Sequence, residues 1–152
     1  MELILWRHAE AEDGSPDLQR ALTPKGQKQA RRMADWLTSQ LPEGCKILVS
    51  QARRTLQTVE PLGRKYKVSA ALAPNASAQD VLAAANWPNG REPVLVVGHQ
   101  PTLGEVAALL LSGQPQEWEF KKGSVWWFVQ REPDDPGGLV LRAVMSPDMI
   151  VK

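Results

Sequence analysis

The chain of 152 residues has one cysteine, two histidines, one tyrosine, two phenylalanines and no long apolar run. Cys45 alone excludes an intrachain disulfide and suits a reducing compartment, so cytoplasm is the expected location. No stretch approaches the ~20 consecutive apolar residues that a bilayer span needs, and no membrane role is expected. The N-terminus places acidic Glu2 and a short apolar run before charged residues, which is not the basic start and sustained apolar core of a signal peptide. An excess of one charge is missing too. With 18 Lys and Arg against 17 Asp and Glu, the net charge is +1, so no overall field draws in nucleic acid or an anionic membrane. Any basic function must be local. There is no internal repeat, low-complexity tract or linker, and the length suits one domain spanning residues 1–152.

What is present is an alternation of strand and helix patterns. Leu3–Trp6 reads as a buried strand, and the polar stretch from Glu10 to Arg20 as a loop over its end. Thr23 offers a cap and Pro24 a first-turn residue for a helix with Ala30, Met33, Ala34, Leu37 and Leu41 on one side, ended by Pro42 and Gly44. Ile47–Val49 predicts a second strand, with Ser50 as cap of a helix that Pro61 kinks or shortens. A brief strand near Val68 and a helix from Ser77 to Ala85 follow. Val94–Val97 is the clearest central strand, and Pro101 or Thr102 opens a helix through Leu103, Val106, Ala107 and Leu110, stopped at Gly113. Ser124–Gln130 and Leu139–Met145 predict a hairpin around a turn-rich connection. Together these imply an α/β fold of three α/β/α layers, its sheet mostly parallel with an antiparallel C-terminal edge hairpin.

Both histidines fall where a strand ends. Arg7-His8 follows Leu3–Trp6 and Gly98-His99 follows Val94–Val97, the position at which an open α/β sheet binds its ligands. Arg53 and Arg54 sit in a helix's first turn, where cations oppose the positive end of the dipole unless an anion binds. Arg7-His8-Ala9, then Arg20-Ala21-Leu22-Thr23-Pro24-Lys25-Gly26, then Leu48-Val49-Ser50 with Arg54 and Gln57-Thr58, then Val97-Gly98-His99 follow the order of motifs in the histidine phosphatase superfamily. The chain resembles that phosphoglycerate mutase-like superfamily over nearly its whole length, and most closely the short bacterial SixA-type phosphohistidine phosphatases.

The resemblance implies that His8 is the nucleophile and that Arg7, Arg54 and His99 hold the phosphoryl oxygens. Arg54 rather than Arg53 aligns, because it stands three residues before Gln57-Thr58. Arg20, at the entrance, and Gln100, beside His99, are the substrate-binding candidates. The chemistry agrees: guanidinium forks match the negative oxygens of a phosphoryl group better than ammonium groups do. Neighbouring arginines also favour an unprotonated nitrogen on His8. Its other nitrogen should donate to a fixed acceptor, such as a backbone carbonyl after Ala9. His99 is expected to serve as a charged donor once an anionic substrate is present.

Two departures from the family pattern matter. Ala9 replaces the usual Gly after the Arg-His pair, and Leu72–Ser77 offers no carboxylate where ester-cleaving relatives supply a general acid. Asp80 or Glu105 could still swing in. An alkoxide leaving group needs such an acid, whereas a histidine, with a reference pKa of about 6.5, can leave as neutral imidazole. The expected reaction is metal-independent, cofactor-free hydrolysis of phosphohistidine on a partner protein, carried out by a monomer. Its rivals are a small-molecule phosphomonoesterase of the same superfamily and a non-catalytic phosphate- or phosphoprotein-binding module.

Less specific readings compete at single positions. Arg7-His8 could be satisfied by loop carbonyls, and His99 could be an ordinary residue at a helix start. Glu10, Glu12 and Asp13 near the histidines could suggest a metal, although arginines beside a cation would repel it; a solvated loop is simpler. Trp126-Trp127-Phe128 reads as core rather than a recognition platform, since neighbours on a strand face opposite sides. Lys121-Lys122 reads as a solvated turn.

Overall fold

Leu3, Ile4, Leu5 and Trp6 form the heart of β1 (Glu2–Arg7) and are wholly buried. Successive side chains on a strand point to opposite faces. Leu3 and Leu5 therefore join one core layer, while Ile4 and Trp6 join the other. A continuous apolar run is what a strand covered by helices on both sides requires. β4 (Val94–Gly98), buried throughout, lies parallel beside it, in register from Leu3 opposite Val94 to Arg7 opposite Gly98.

The computed structural model describes residues 1–150; residues 151 and 152, the last two of the expected domain, lie outside the described residues. Four further strands, β2 (Lys46–Val49), β3 (Lys67–Val68), β5 (Val125–Gln130) and β6 (Leu139–Met145), complete one sheet among the described residues. Its order is β3-β2-β4-β1-β5-β6. The pairs β1 with β4, β2 with β4 and β2 with β3 are parallel, and β5 pairs antiparallel with both β1 and β6. The α/β/α layering with an antiparallel C-terminal edge is thus the observed fold.

Helices α1 (Pro24–Gln40) and α2 (Arg53–Val59) cover the face that carries Ile4 and Trp6, through Met33, Leu37 and Val59. Helices α3 (Ala78–Ala84) and α4 (Thr102–Ser112) cover the other, through Val81, Leu103 and Val106. The start of α1 is set as its sequence suggests: the Thr23 side chain accepts from the Gly26 amide, and Pro24 opens the first turn. Pro61 lies in a single tight turn, Glu60–Leu62, that follows α2. Ser50, however, is not the cap of α2. The residue at that position is Ala52, with no side-chain bond, because the chain makes two more residues of turn after β2 before the helix begins.

Two glycines let helices lie against the segments that border the strand ends. A Cβ on Gly26 would fall 2.0 Å from the Glu10 carbonyl oxygen, and one on Gly104 would fall 1.7 Å from that of Trp118. Neither position has room for any side chain. The aromatic triplet divides as strand geometry demands. Trp127 is buried under α1 with its Nε1–H on Glu2 at 2.9 Å, and Trp126 turns to the opposite face and stacks on Phe120 at 4.7 Å.

Candidate active site

The parallel strands β1, β4 and β2 end side by side; the ends of β1 and β4 deliver side chains to one hollow, and the end of β2 places Ser50 against His99. The ladder runs one residue past the strands: the His8 amide donates to the Gly98 carbonyl at 3.1 Å, and the Ser50 amide to that of Val97 at 3.2 Å. His8, His99 and Ser50 are thereby neighbours at the same edge, with Arg54 entering from the first turn of α2. The imidazole centroids of His8 and His99 are 5.4 Å apart. Arg7, His8, Arg20, Arg54, His99 and Gln100 all line a cavity of about 240 Å³. A larger hollow of about 470 Å³ beside Gln57 and Pro61 contains no histidine and none of the motif arginines.

The motif residues around the hollow act as props. Thr58 Oγ1 accepts from the Ala9 amide at 3.1 Å, and Gln57 Oε1 from the Leu22 amide at 2.7 Å. These bonds tie the start of the Glu10–Arg20 loop, and the segment that follows it, to α2. Ala9 is wholly buried and accommodated where the family pattern has Gly.

His8 Nδ1 lies 2.7 Å from the Ala9 carbonyl oxygen. A carbonyl can only accept, so Nδ1 carries the proton and Nε2 keeps its lone pair. The acceptor anticipated after Ala9 is the carbonyl of Ala9 itself. Burial pushes the His8 pKa down to about 4, against the help of that hydrogen bond, and the charges of Arg54, Arg7 and Arg20 add to the depression. Burial, more than the arginines, is therefore what holds the ring neutral. His99 is pushed to about 3 by burial first, then by His8 and Arg54, with Asp17 opposing and Arg20 adding. Burial and the neighbouring cations therefore leave the His99 ring uncharged at neutral pH.

These shifts carry a stability consequence. Between the ordinary imidazole value of 6.5 and the folded values of about 4 and about 3, the unfolded chain binds protons that the folded chain refuses. Stability must fall as pH drops through that window, by about 2 kcal/mol per histidine between pH 7 and pH 5. His8 and His99 are the chain's two histidines, so this window belongs to them. Guanidinium unfolding at pH 7 and pH 5 measures it; equal stabilities at the two pH values would contradict the buried, neutral pair.

The guanidiniums are held from several sides. Arg7 donates through Nη1 to the Phe120 carbonyl at 2.6 Å, and burial lowers its pKa while nearby Glu119 acts to raise it. Arg54, 3% exposed, donates through Nη1 to the Asp17 carbonyl at 2.9 Å and through Nη2 to the Asp17 carboxylate at 3.1 Å. Arg53 is exposed and does not line the hollow. Arg20 reaches the other Asp17 carboxylate oxygen at 3.0 Å and the Glu12 carbonyl at 2.9 Å. Partial burial would raise the Asp17 pKa, but hydrogen bonds from Arg20 and Arg54 outweigh it and keep the carboxyl below its ordinary range. Gln100 borders the hollow while its amide nitrogen donates to the Trp118 carbonyl at 2.8 Å and its oxygen accepts from the Gly104 amide at 3.0 Å.

Among the described residues, Arg7 Nε, Arg54 Nε and His99 Nδ1 are buried nitrogens without a hydrogen-bond partner. An unpartnered buried donor costs about 1–3 kcal/mol. Three such nitrogens sit on residues around one hollow, and an oxyanion there would pair with those that carry a proton. Among the described residues no group of three His, Cys, Asp or Glu side chains could hold a metal ion. Asp80 is engaged in its own helix cap, accepting from the Ser77 amide, and neither Asp80 nor Glu105 lines the hollow.

Asp17, Ser50, Asp13 and Lys122 belong to this site although sequence reasoning did not place them there. Asp17 pairs with the arginines, Ser50 meets His99, and Asp13 and Lys122 line the hollow. The sequence signals were the position of the Glu10–Arg20 loop over the strand end, for Asp13 and Asp17, and the Leu48-Val49-Ser50 motif segment, for Ser50.

Residues 3–77 match the histidine phosphatase superfamily (branch 1). The chain is 33% identical to the phosphohistidine phosphatase SixA of Escherichia coli (strain K12) over 123 residues, covering 75% of this chain and 76% of that protein. It is 36% identical to an uncharacterized protein of Picosynechococcus over 124 residues, covering 75% of each. A solved structure of the protein histidine phosphatase SixA complexed with tungstate superposes with a TM-score of 0.82 at 29% identity, over 99% of this chain and 100% of that one. The chain therefore belongs to the histidine phosphatase superfamily and, within it, to the SixA-type proteins.

Proposed function

We propose that this protein is a metal-independent phosphatase that removes phosphoryl groups from histidines of partner proteins by way of its own phosphorylated His8. The observation that carries the reading is the 2.7 Å bond from His8 Nδ1 to the Ala9 carbonyl, which leaves Nε2 as a neutral nucleophile among three arginines. The structural likeness to SixA with tungstate, a tetrahedral oxyanion, supports the placement of the phosphoryl group among these side chains.

In the first half of the reaction the Nε2 lone pair forms a bond to phosphorus as the substrate's P–N bond breaks. The electron pair of that bond stays on the departing imidazole, which leaves neutral from the imidazolium form of the phosphohistidine, the form whose other nitrogen has taken a proton from solvent. In the second half water attacks phosphorus, the His8 Nε2–P bond breaks, and inorganic phosphate departs with the water's oxygen. Both leaving groups are imidazoles, and neither step requires an acid to protonate an alkoxide. Arg7, Arg54 and His99 supply donors for the oxygens on which charge concentrates in each transition state. Lys122 and Arg20 at the rim add positive charge for an anionic substrate.

The carboxylates support phosphohistidine over phosphate esters. Asp13 is the one carboxylate residue lining the hollow among the described residues, and it is exposed, with no contact that holds it toward a leaving group. The test is a panel of histidine-phosphorylated carrier proteins beside sugar phosphates, with label followed after quenching without acid. Loss of label from carriers at rates at least about 100-fold above those for sugar phosphates is expected. Faster turnover of the sugar phosphates would make this a small-molecule phosphomonoesterase. Stoichiometric binding with no turnover of either class would make it a binding module.

A further inference from the structure

Ser50 Oγ stands 2.8 Å from His99 Nε2, and the serine is wholly buried. The same oxygen accepts the Ala52 amide proton at 3.2 Å. Among the described residues these are its two partners. A serine hydroxyl has one proton to give. Were Nε2 also a donor to Oγ, both the hydroxyl proton and the Nδ1 lone pair would be left buried without partners; the opposite arrangement leaves one group unpaired, the Nδ1 proton, which an oxyanion can take.

We propose that Ser50 is a positioning residue: its hydroxyl donates to His99 Nε2 and so fixes the neutral tautomer of His99 that carries its proton on Nδ1, directing an N–H at a phosphoryl oxygen. The proton assignment rests on this count of hydrogen-bond partners, whereas its use toward a phosphoryl group rests on the function proposed above. Two further observations fit. His99 Nδ1 is buried with no partner among the described residues, so its proton is uncommitted. The charged and titratable groups acting on the ring are His8, Arg54 and Arg20, which oppose a positive charge, and Asp17, which favours one; together with burial they keep it neutral. Protonating Nε2 would also force Ser50 to accept and strand its own proton. The two histidines are thus set for complementary tasks by different neighbours, His8 by a carbonyl that exposes a lone pair and His99 by a hydroxyl that exposes a proton.

Nitrogen-15 NMR of the histidine rings in the full chain reads the assignment directly, and with two histidines His8→Asn identifies each set of signals. At pH 7 the wild-type His99 should show a protonated Nδ1 and an unprotonated Nε2. Ser50→Ala should move His99 toward the Nε2–H form and lower kcat on p-nitrophenyl phosphate on the order of 10- to 100-fold, with a smaller change in KM. Ser50→Thr, which keeps the hydroxyl, should restore the wild-type tautomer. A wild-type His99 protonated on Nε2, or a Ser50→Ala protein with an unchanged tautomer, would overturn the proposal. A shifted tautomer with unchanged kcat would refute the role of the Nδ1 proton in catalysis. A wild-type protein inert toward every phosphorylated substrate would instead sink the phosphatase reading, and the NMR result would still decide the proton assignment.

Discussion

His8→Ala removes phosphatase turnover, with an expected fall in kcat of at least about 10⁴-fold, while the protein stays folded. Among the described residues no other side chain lining the hollow has a nitrogen lone pair free to attack: that of His99 Nε2 is occupied by Ser50, and the arginines carry no lone pair to give. The cost to the fold should be small, because the hydrogen bond lost is one to the adjacent residue's carbonyl at the border of a hollow that water can fill. Turnover of p-nitrophenyl phosphate measures the first part and thermal unfolding followed by circular dichroism the second. With the wild-type chain, quenching without acid should trap label on His8. Activity surviving in a folded His8→Ala protein would remove the nucleophile from the scheme.

Arg54→Ala is the second large effect, about a 10³-fold loss in kcat/KM. Its guanidinium is the most buried of the motif cations, held by both the carbonyl and the carboxylate of Asp17, so its position is determined before any substrate arrives. Arg54→Lys should recover little of the loss, because a single ammonium cannot reproduce two directed N–H donors on one planar group. The Asp17 carboxylate keeps Arg20 as a partner and is 54% exposed, so no unpaired charge is stranded in the interior. Arg53→Ala provides the contrast, since Arg53 is exposed and outside the hollow. Kinetics of the three variants on one aryl phosphate suffice. A deeper loss from Arg53→Ala than from Arg54→Ala would reverse the choice between them.

Much of this molecule was legible before folding was considered. The unbroken apolar runs Leu3–Trp6 and Val94–Val97 marked strands covered on both sides, and Thr23-Pro24 marked the start of α1. Motif spacing along the chain brought Arg7, His8, Arg54 and His99 into one argument, and the sheet brings them to one hollow. Asp17 went unremarked because nothing in a polar loop distinguishes the one carboxylate that will meet two guanidiniums. Ser50 has the local meaning of a cap, as a serine between a strand and a helix does most of the time, and its contact with His99 exists only in the folded sheet.

Periodicity, capping and strand-end position are properties of neighbours in the chain, so the sequence by itself determined the layered α/β/α architecture and the set of side chains gathered at the strand ends. The direction of protons, the pairing of charges and the depth of burial are set by groups far apart in sequence: Ser50 meets His99 across 49 residues and Asp17 meets Arg54 across 37. The parallel register of β4 and β2 decides the first encounter, and the packing of the Glu10–Arg20 loop against α2 decides the second. Hydrogen bonds require donor and acceptor within a few tenths of an ångström of an ideal distance, a precision that exists once the sheet has formed and that no linear pattern of residues encodes.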